Sequence, residues 1–168
     1  MRICDCTVVE ATADDAKDIV AMVSNHAERG AMLHRTMYDV VDRIQDYQVV
    51  KLGYETIGCA SLKTFWTGKI VIGEIRSLSV ITEWHKNGVG KALVEWCLSK
   101  ANVLGLKQVF ALTLVPGFFQ KCGFDILNKA NLPNARIWTE CVNCQKYQRG
   151  CDETLVSINL GGRYDIPV

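Results

Sequence analysis

Two ionisable residues interrupt an apolar run in Ile70-Val71-Ile72-Gly73-Glu74-Ile75-Arg76-Ser77-Leu78-Ser79-Val80. Side chains on a strand alternate faces, so Ile72, Glu74, Arg76, Leu78 and Val80 would share one face unless a bulge intervenes. Glu74 and Arg76 then lie about 6–7 Å apart along an ideal strand. Such a pair is either structural, as an ion pair or two solvent-facing charges, or it moves protons and binds charge in a cleft. The next stretch, Trp84-His85-Lys86-Asn87-Gly88-Val89-Gly90-Lys91-Ala92-Leu93, sets two glycines at the start of a helical pattern. Glycine lets a backbone come close to a phosphate, and the first N–H groups of a helix lack helical partners. Lys86 and Lys91 add positive charge there. Taken alone, a glycine pair of this kind fits a plain turn at least as well.

A third group is Cys141-x2-Cys144-x6-Cys151, three soft ligands in a loop region. Thiolates suit zinc, but a tetrahedral site wants a fourth ligand and a more regular spacing. His34 or Cys122 could supply the fourth. Reduced packing cysteines and a redox pair are the other readings. Cys59 and Cys97 fall within apolar patterns and read as small core residues. Cys122 reads as a buried, inert thiol, because a reactive one needs an electropositive, partly exposed setting.

The elements that must position these groups follow from periodicity. Thr7 to Ala11 reads as a strand. Thr12 with Asp15 opens a helix in capping-box fashion, with Ala16, Ile19, Val20, Val23 and Ala27 at helical spacing. Thr36 with Asp39 repeats the signal ahead of Met37, Val40, Val41 and Ile44. Three strands follow, at 47–52, 55–64 and 70–80, with turns at Gly53-Tyr54 and Thr67-Gly68. The helix after the glycine pair has Val89, Leu93, Trp96, Cys97 and Leu104 on one face, and Gly105 stops it. Gln108 to Leu114 is a strand, Pro116 to Gly123 a short helix, Phe124 to Leu127 a strand. A Cys-rich connection leads to a last strand at 154–160.

The chain has 168 residues, 49% hydrophobic and 22% charged, with net charge +1 and eight cysteines. One α/β domain spanning 1–168 is the expectation, with the Cys-rich segment 136–153 inside it. Near-zero charge gives no broad surface for nucleic acid or membrane. The first ten residues carry an acid and no apolar core, so no secretory signal is expected and the cytoplasm is. Cytosolic thiols stay reduced, which argues against a disulfide framework.

The segments EIRSLSV, NGVGKALVEWCL and FFQKCGF, in this order of elements, resemble the GCN5-related N-acetyltransferase (GNAT) family. The resemblance covers almost the whole chain. It implies an α+β fold with a mixed, mostly antiparallel central sheet and helices on both faces. Within the family, AERGAMLHRT, GEIRSLSV, VFALTLVPGFFQKCGF and the tail IWTECVNCQKYQRGCDETLV are most similar to single-domain N-acetylglutamate synthases, whose tails share the cysteine trio. The implied reaction moves the acetyl group of acetyl-CoA directly to the amine of L-glutamate, the first step of arginine biosynthesis. Another small amine, a protein N-terminus, or a non-catalytic acyl-CoA sensor are the alternatives.

The resemblance also assigns roles. His85, Lys86, Asn87, Gly88, Val89, Gly90 and Lys91 would hold the pyrophosphate, although His85 stands where the family usually has Arg or Gln. Backbone groups of Leu78, Ser79 and Val80 would pair with the pantetheine arm. Glu74 would take the ammonium proton, with burial raising its pKa. Phe119 lies at the cofactor position where many relatives have a tyrosine that protonates the departing thiolate, so that acid is missing. Arg35, Arg76 and Lys63 would recognise the carboxylates of glutamate, with Arg29 and His34 as further candidates. Zinc on the cysteine trio and a homodimer stay open.

Overall fold

The computed structural model describes residues 6–160 except Gln148, leaving the side chains of Ala135 and Trp138 aside. In chain order the elements are β1 (Cys6–Glu10), α1 (Ala16–Glu28), α2 (Met37–Asp42), β2 (Tyr47–Leu52), β3 (Glu55–Trp66), β4 (Val71–Val80), α3 (Val89–Val103), β5 (Gln108–Thr113), α4 (Pro116–Lys121), β6 (Asp125–Leu127), α5 (Asn134–Thr139) and β7 (Thr154–Asn159). The seven strands are ordered β1-β2-β3-β4-β5-β7-β6. β4 and β5 pair parallel, while β1 with β2, β2 with β3, β5 with β7 and β6 with β7 pair antiparallel. This is the mixed, mostly antiparallel sheet that the sequence resemblance implies. Among the described residues, no helix is long and apolar enough to cross a membrane.

The chain forms two compact units. Of the described residues, one comprises those up to Leu62 together with Ile75–Ser99; the other comprises Lys63–Glu74 and those from Lys100 onward. In the first, Ala16, Ile19, Met22 and Val23 of α1 pack with Val40, Tyr47, Val49 and Cys59. Removing such side chains from water supplies most of the driving force, about 25 cal/mol per Å² of apolar surface. Both capping boxes form: Thr12 N–H donates to Asp15 Oδ2 at 2.8 Å, and Thr36 N–H to Asp39 Oδ2 at 2.8 Å. Asp15 is also buried against Lys51, with which it forms an ion pair.

Gly58 of β3 admits α3 at close range. A Cβ there would stand 3.0 Å from Val89 Cγ1 and 3.2 Å from Leu93 Cδ1. The buried face of α3 runs through Val89, Leu93, Val94, Cys97 and Ala101. Leu104, expected on that face, lies beyond the helix and is exposed, because the helix ends at Val103. Within β4 the simple alternation fails. Ser77 has φ of 53°, a left-handed conformation that non-glycine residues adopt at a cost. Beyond it Ser79 is buried, while Leu78 and Val80 are only partly so.

In the second unit Phe65, Ile72, Phe110 and Leu155 form the core, joined by Leu112, Leu127 and Leu132. β5 and β7 are paired along their whole length, from Gln108 opposite Asn159 to Thr113 opposite Thr154. The sequence reading left the Cys-rich connection without a helix. The structure has α5 there, begun from Pro133, whose carbonyl accepts Arg136 N–H at 2.9 Å.

Candidate active site

The first unit carries the glycine turn expected to cradle a phosphate. After β4 the chain makes a short turn at Thr82–Trp84, and His85 to Gly88 then lead into α3. The Gly88 carbonyl accepts Ala92 N–H at 2.9 Å, so Gly88 caps the helix. Its φ is 85°, and a Cβ added to it would meet nothing within 4 Å. Glycine is therefore needed for the backbone conformation, and the space above it is open. N–H groups in the first turn of a 15-residue helix face outward with the positive end of its dipole. That set fits a pyrophosphate. Lys86, itself left-handed at φ 62°, and Lys91 are exposed beside it.

The His85 ring reaches back to the end of β4. Its Nε2–H donates to the Val80 carbonyl at 2.8 Å. A carbonyl can only accept, so this bond fixes the proton on Nε2. One further histidine supports the end of β4: His26 Nδ1 lies 2.8 Å from Ser79 Oγ and 3.0 Å from the Met22 carbonyl. Ser79 is buried under α1 for that reason, and its backbone, not its side chain, is what it can offer a ligand.

The second unit carries a charged cluster. Glu74 is 2% exposed, and Arg136 Nε donates to both its carboxylate oxygens, at 2.9 and 3.1 Å. Arg136 Nη1 donates to Cys141 Sγ at 3.2 Å. Burial works against the Arg136 charge, but the Glu74 carboxylate outweighs it and raises the guanidinium above its ordinary value. Burial raises the Cys141 thiol in spite of the nearby Arg136. Lys63 Nζ donates to Glu140 Oε1 at 2.7 Å and lies 4.9 Å from the Phe65 ring centre. The apolar surroundings expected for Glu74 are thus replaced by a guanidinium, and Lys63 is held by a carboxylate.

Arg35 and Arg76 are half-buried, and Arg29 and His34 exposed. Phe119 is buried between Phe118 and Phe124, with ring centres 5.2 Å away on each side. Little of its ring faces outward. Cys122 is half-buried at the end of α4 rather than fully enclosed. Cys59 and Cys97 are fully buried, and burial pushes the Cys59 thiol up to about 12. Cys141, Cys144 and Cys151 are thiols. Among the described residues no group of three or more His, Cys, Asp or Glu side chains is placed to hold a metal ion. Cys141 faces Arg136, and Cys151 Sγ faces the Glu153 carboxylate at 3.8 Å. As placed, the trio does not fit zinc.

Sequence reasoning missed Arg136, Glu140 and His26. Arg136 is followed by Ile137 and Trp138, and a charge in so apolar a stretch was a signal of burial. Its partner is 62 residues away, which no local pattern encodes.

The acetyltransferase (GNAT) domain family matches residues 44–126. An uncharacterized N-acetyltransferase from Chlorobaculum tepidum is 35% identical over 153 residues, 91% of this chain and 96% of the relative. The chain belongs to the GNAT family and is an acyl-CoA-dependent N-acetyltransferase. An amino-acid acetyltransferase from Mycobacterium tuberculosis is 28% identical over 157 residues, 92% of this chain and 86% of the relative. Among solved structures, N-acetylglutamate synthase from Neisseria gonorrhoeae, complexed with coenzyme A and N-acetyl-glutamate, superposes with a TM-score of 0.81 at 25% identity. That match covers 92% of this chain, which spans 35% of the Neisseria chain.

Proposed function

We propose that this enzyme acetylates the α-amine of a small amino acid bearing a second carboxylate, with L-glutamate as substrate and N-acetyl-L-glutamate as product. The observation that carries this is Arg136. Its Nε donates to Glu74 and its Nη1 to the Cys141 sulfur, with the Glu140 carboxylate near enough to act on its charge. Sulfur is a weak acceptor, and a carboxylate suits a guanidinium far better. The amino-acid acetyltransferase and N-acetylglutamate synthase among its relatives support the same substrate class. With that product, the chain would serve the first step of arginine biosynthesis in the cytoplasm.

Acetyl-CoA supplies the acetyl group as a thioester. The α3 N-terminus, with Gly88, Val89, Gly90 and the lysines, would hold its pyrophosphate. Leu78, Ser79 and Val80 would pair with its amide-bearing arm, and the Val80 carbonyl, which already accepts from His85, keeps a second lone pair for a ligand N–H. Arg136 would bind a substrate carboxylate; Arg35 and Arg76 are the carboxylate-recognition candidates that the family resemblance implies. A carboxylate arriving at Arg136 competes with Glu74 for the guanidinium, leaving Glu74 available to take the ammonium proton, directly or through water. No tyrosine stands at Phe119, so the thiolate, a fair leaving group, would draw its proton from water.

Arg136→Lys tests the assignment, because an ammonium cannot fork onto a carboxylate. The KM for glutamate should rise about tenfold or more, with acetyl-CoA affinity unchanged. An unaltered KM for glutamate would remove Arg136 from substrate recognition.

A further inference from the structure

We propose that Cys141 and Cys144 are an oxidisable dithiol that closes to a disulfide by exchange with a small-molecule or protein disulfide, and that closure loosens Arg136. Both are half-buried thiols. Residues Cys141–Asn143 form a single 3₁₀ turn, closed by Cys144 N–H donating to the Cys141 carbonyl at 2.9 Å. A turn closed in this way brings the first and fourth Cα atoms within 7 Å, and 3₁₀ geometry stacks their side chains on one face. A disulfide needs Cα atoms about 4.4–6.8 Å apart, so the backbone already holds the distance that bond requires. Cys151 lies outside this turn. Its Sγ faces Glu153 and its carbonyl accepts from Lys129 Nζ.

The exchange balances without any further reagent. One cysteine thiolate attacks a sulfur of the incoming disulfide, forming a mixed disulfide and expelling one thiolate. The second cysteine thiolate attacks the mixed disulfide, forming the Cys141–Cys144 bond and expelling the other. Two electrons pass from the cysteines to the incoming disulfide, and the two cysteine protons end on its two thiols. Disulfides of this transient kind are the ones reducing compartments use.

Cys141 Sγ is the atom that Arg136 Nη1 donates to. Once bonded to Cys144, that sulfur turns from Arg136, and the outer edge of the guanidinium loses its anchor. The effect on activity rests on the assignment of Arg136 to a substrate carboxylate; formation of the disulfide does not.

Peptide mapping of the full chain, equilibrated in buffers of glutathione and its disulfide and then quenched and alkylated, tests the dithiol. The expected product is a reversible crosslink joining Cys141 and Cys144, with the loss of two hydrogens. It should persist in Cys151→Ser and vanish in Cys144→Ser. A crosslink through Cys151, or mixed glutathione disulfides alone, would overturn the proposal. The second readout is KM for glutamate, expected to rise about two- to tenfold on oxidation of the wild type and to stay fixed in Cys144→Ser. A full crosslink with unchanged KM would overturn the coupling to Arg136. Absence of turnover on glutamate in the reduced enzyme would instead count against the substrate reading, leaving the crosslink result intact.

Discussion

Glu74 is a buried carboxylate whose two oxygens both accept from Arg136 Nε. Removing one member of such a pair strands the other charge, which commonly costs several kcal/mol. Glu74→Gln keeps the volume and an accepting oxygen for Arg136 Nε but not the charge, so Tm should fall and kcat is to be compared below the variant's unfolding temperature. The amide cannot take a proton. The expected outcome is a fall in kcat of about 10²–10⁴-fold with acetyl-CoA affinity retained; wild-type kcat would remove Glu74 as the base. Glu74 was legible in the sequence as a charge in an apolar row. That row said nothing of Arg136, and the nearer Arg76 was its apparent partner. His85 shows the same limit. Its place ahead of the glycines was readable, but its bond to Val80 depends on how the turn folds back.

At the level of elements, the cradle depends on how closely α3 approaches β3. Gly58 sets that approach, with Val89 at the very start of the helix as its neighbour. In Gly58→Ala the new methyl would also stand 3.3 Å from the Ser79 carbonyl, a backbone atom with little room to yield. Overpacking of this kind costs about 1–3 kcal/mol. Both Tm and acetyl-CoA affinity should fall, as thermal unfolding and titration calorimetry would show; an unchanged pair of values would contradict the packing argument. The α1 capping box adds a pH dependence. Burial alone would raise the Asp15 carboxyl, but Lys51 and the Thr12 donors outweigh it and hold Asp15 below its ordinary value. A depressed folded value means the unfolded chain binds the proton more readily. The stabilisation is therefore complete above the ordinary aspartate range and is lost as pH falls through the folded value. Asp15→Asn should cost about 1–2 kcal/mol near neutrality and flatten the acid limb of stability against pH. Urea midpoints across that range measure it, and parallel curves for both proteins would refute the linkage.

For the molecule as a whole, the succession of strands along the chain and the helices α1 to α4 were legible because each has a strong period and clear punctuation, whereas the order of the strands within the sheet was not read from the sequence. β2 matches its expected bounds, and β3 runs two residues further, to Trp66. α5 was not legible. It has six residues, too short for a periodic stripe, and its Arg136 bonds a residue 62 positions away. The bulge-like break at Ser77 was also hidden, since its left-handed φ falls on a residue other than glycine. Family membership rests on a match along 91% of the chain, and the proposed amine on a few charged groups, above all Arg136. The decisive measurement is coenzyme A release by the reduced enzyme with acetyl-CoA and a panel of amines: L-glutamate, L-aspartate, L-glutamine, L-lysine, a polyamine and a peptide with a free N-terminus. Turnover should be highest on L-glutamate and weak on amines without a second carboxylate. Turnover on lysine, the polyamine or the peptide, with none on glutamate, would contradict the assignment.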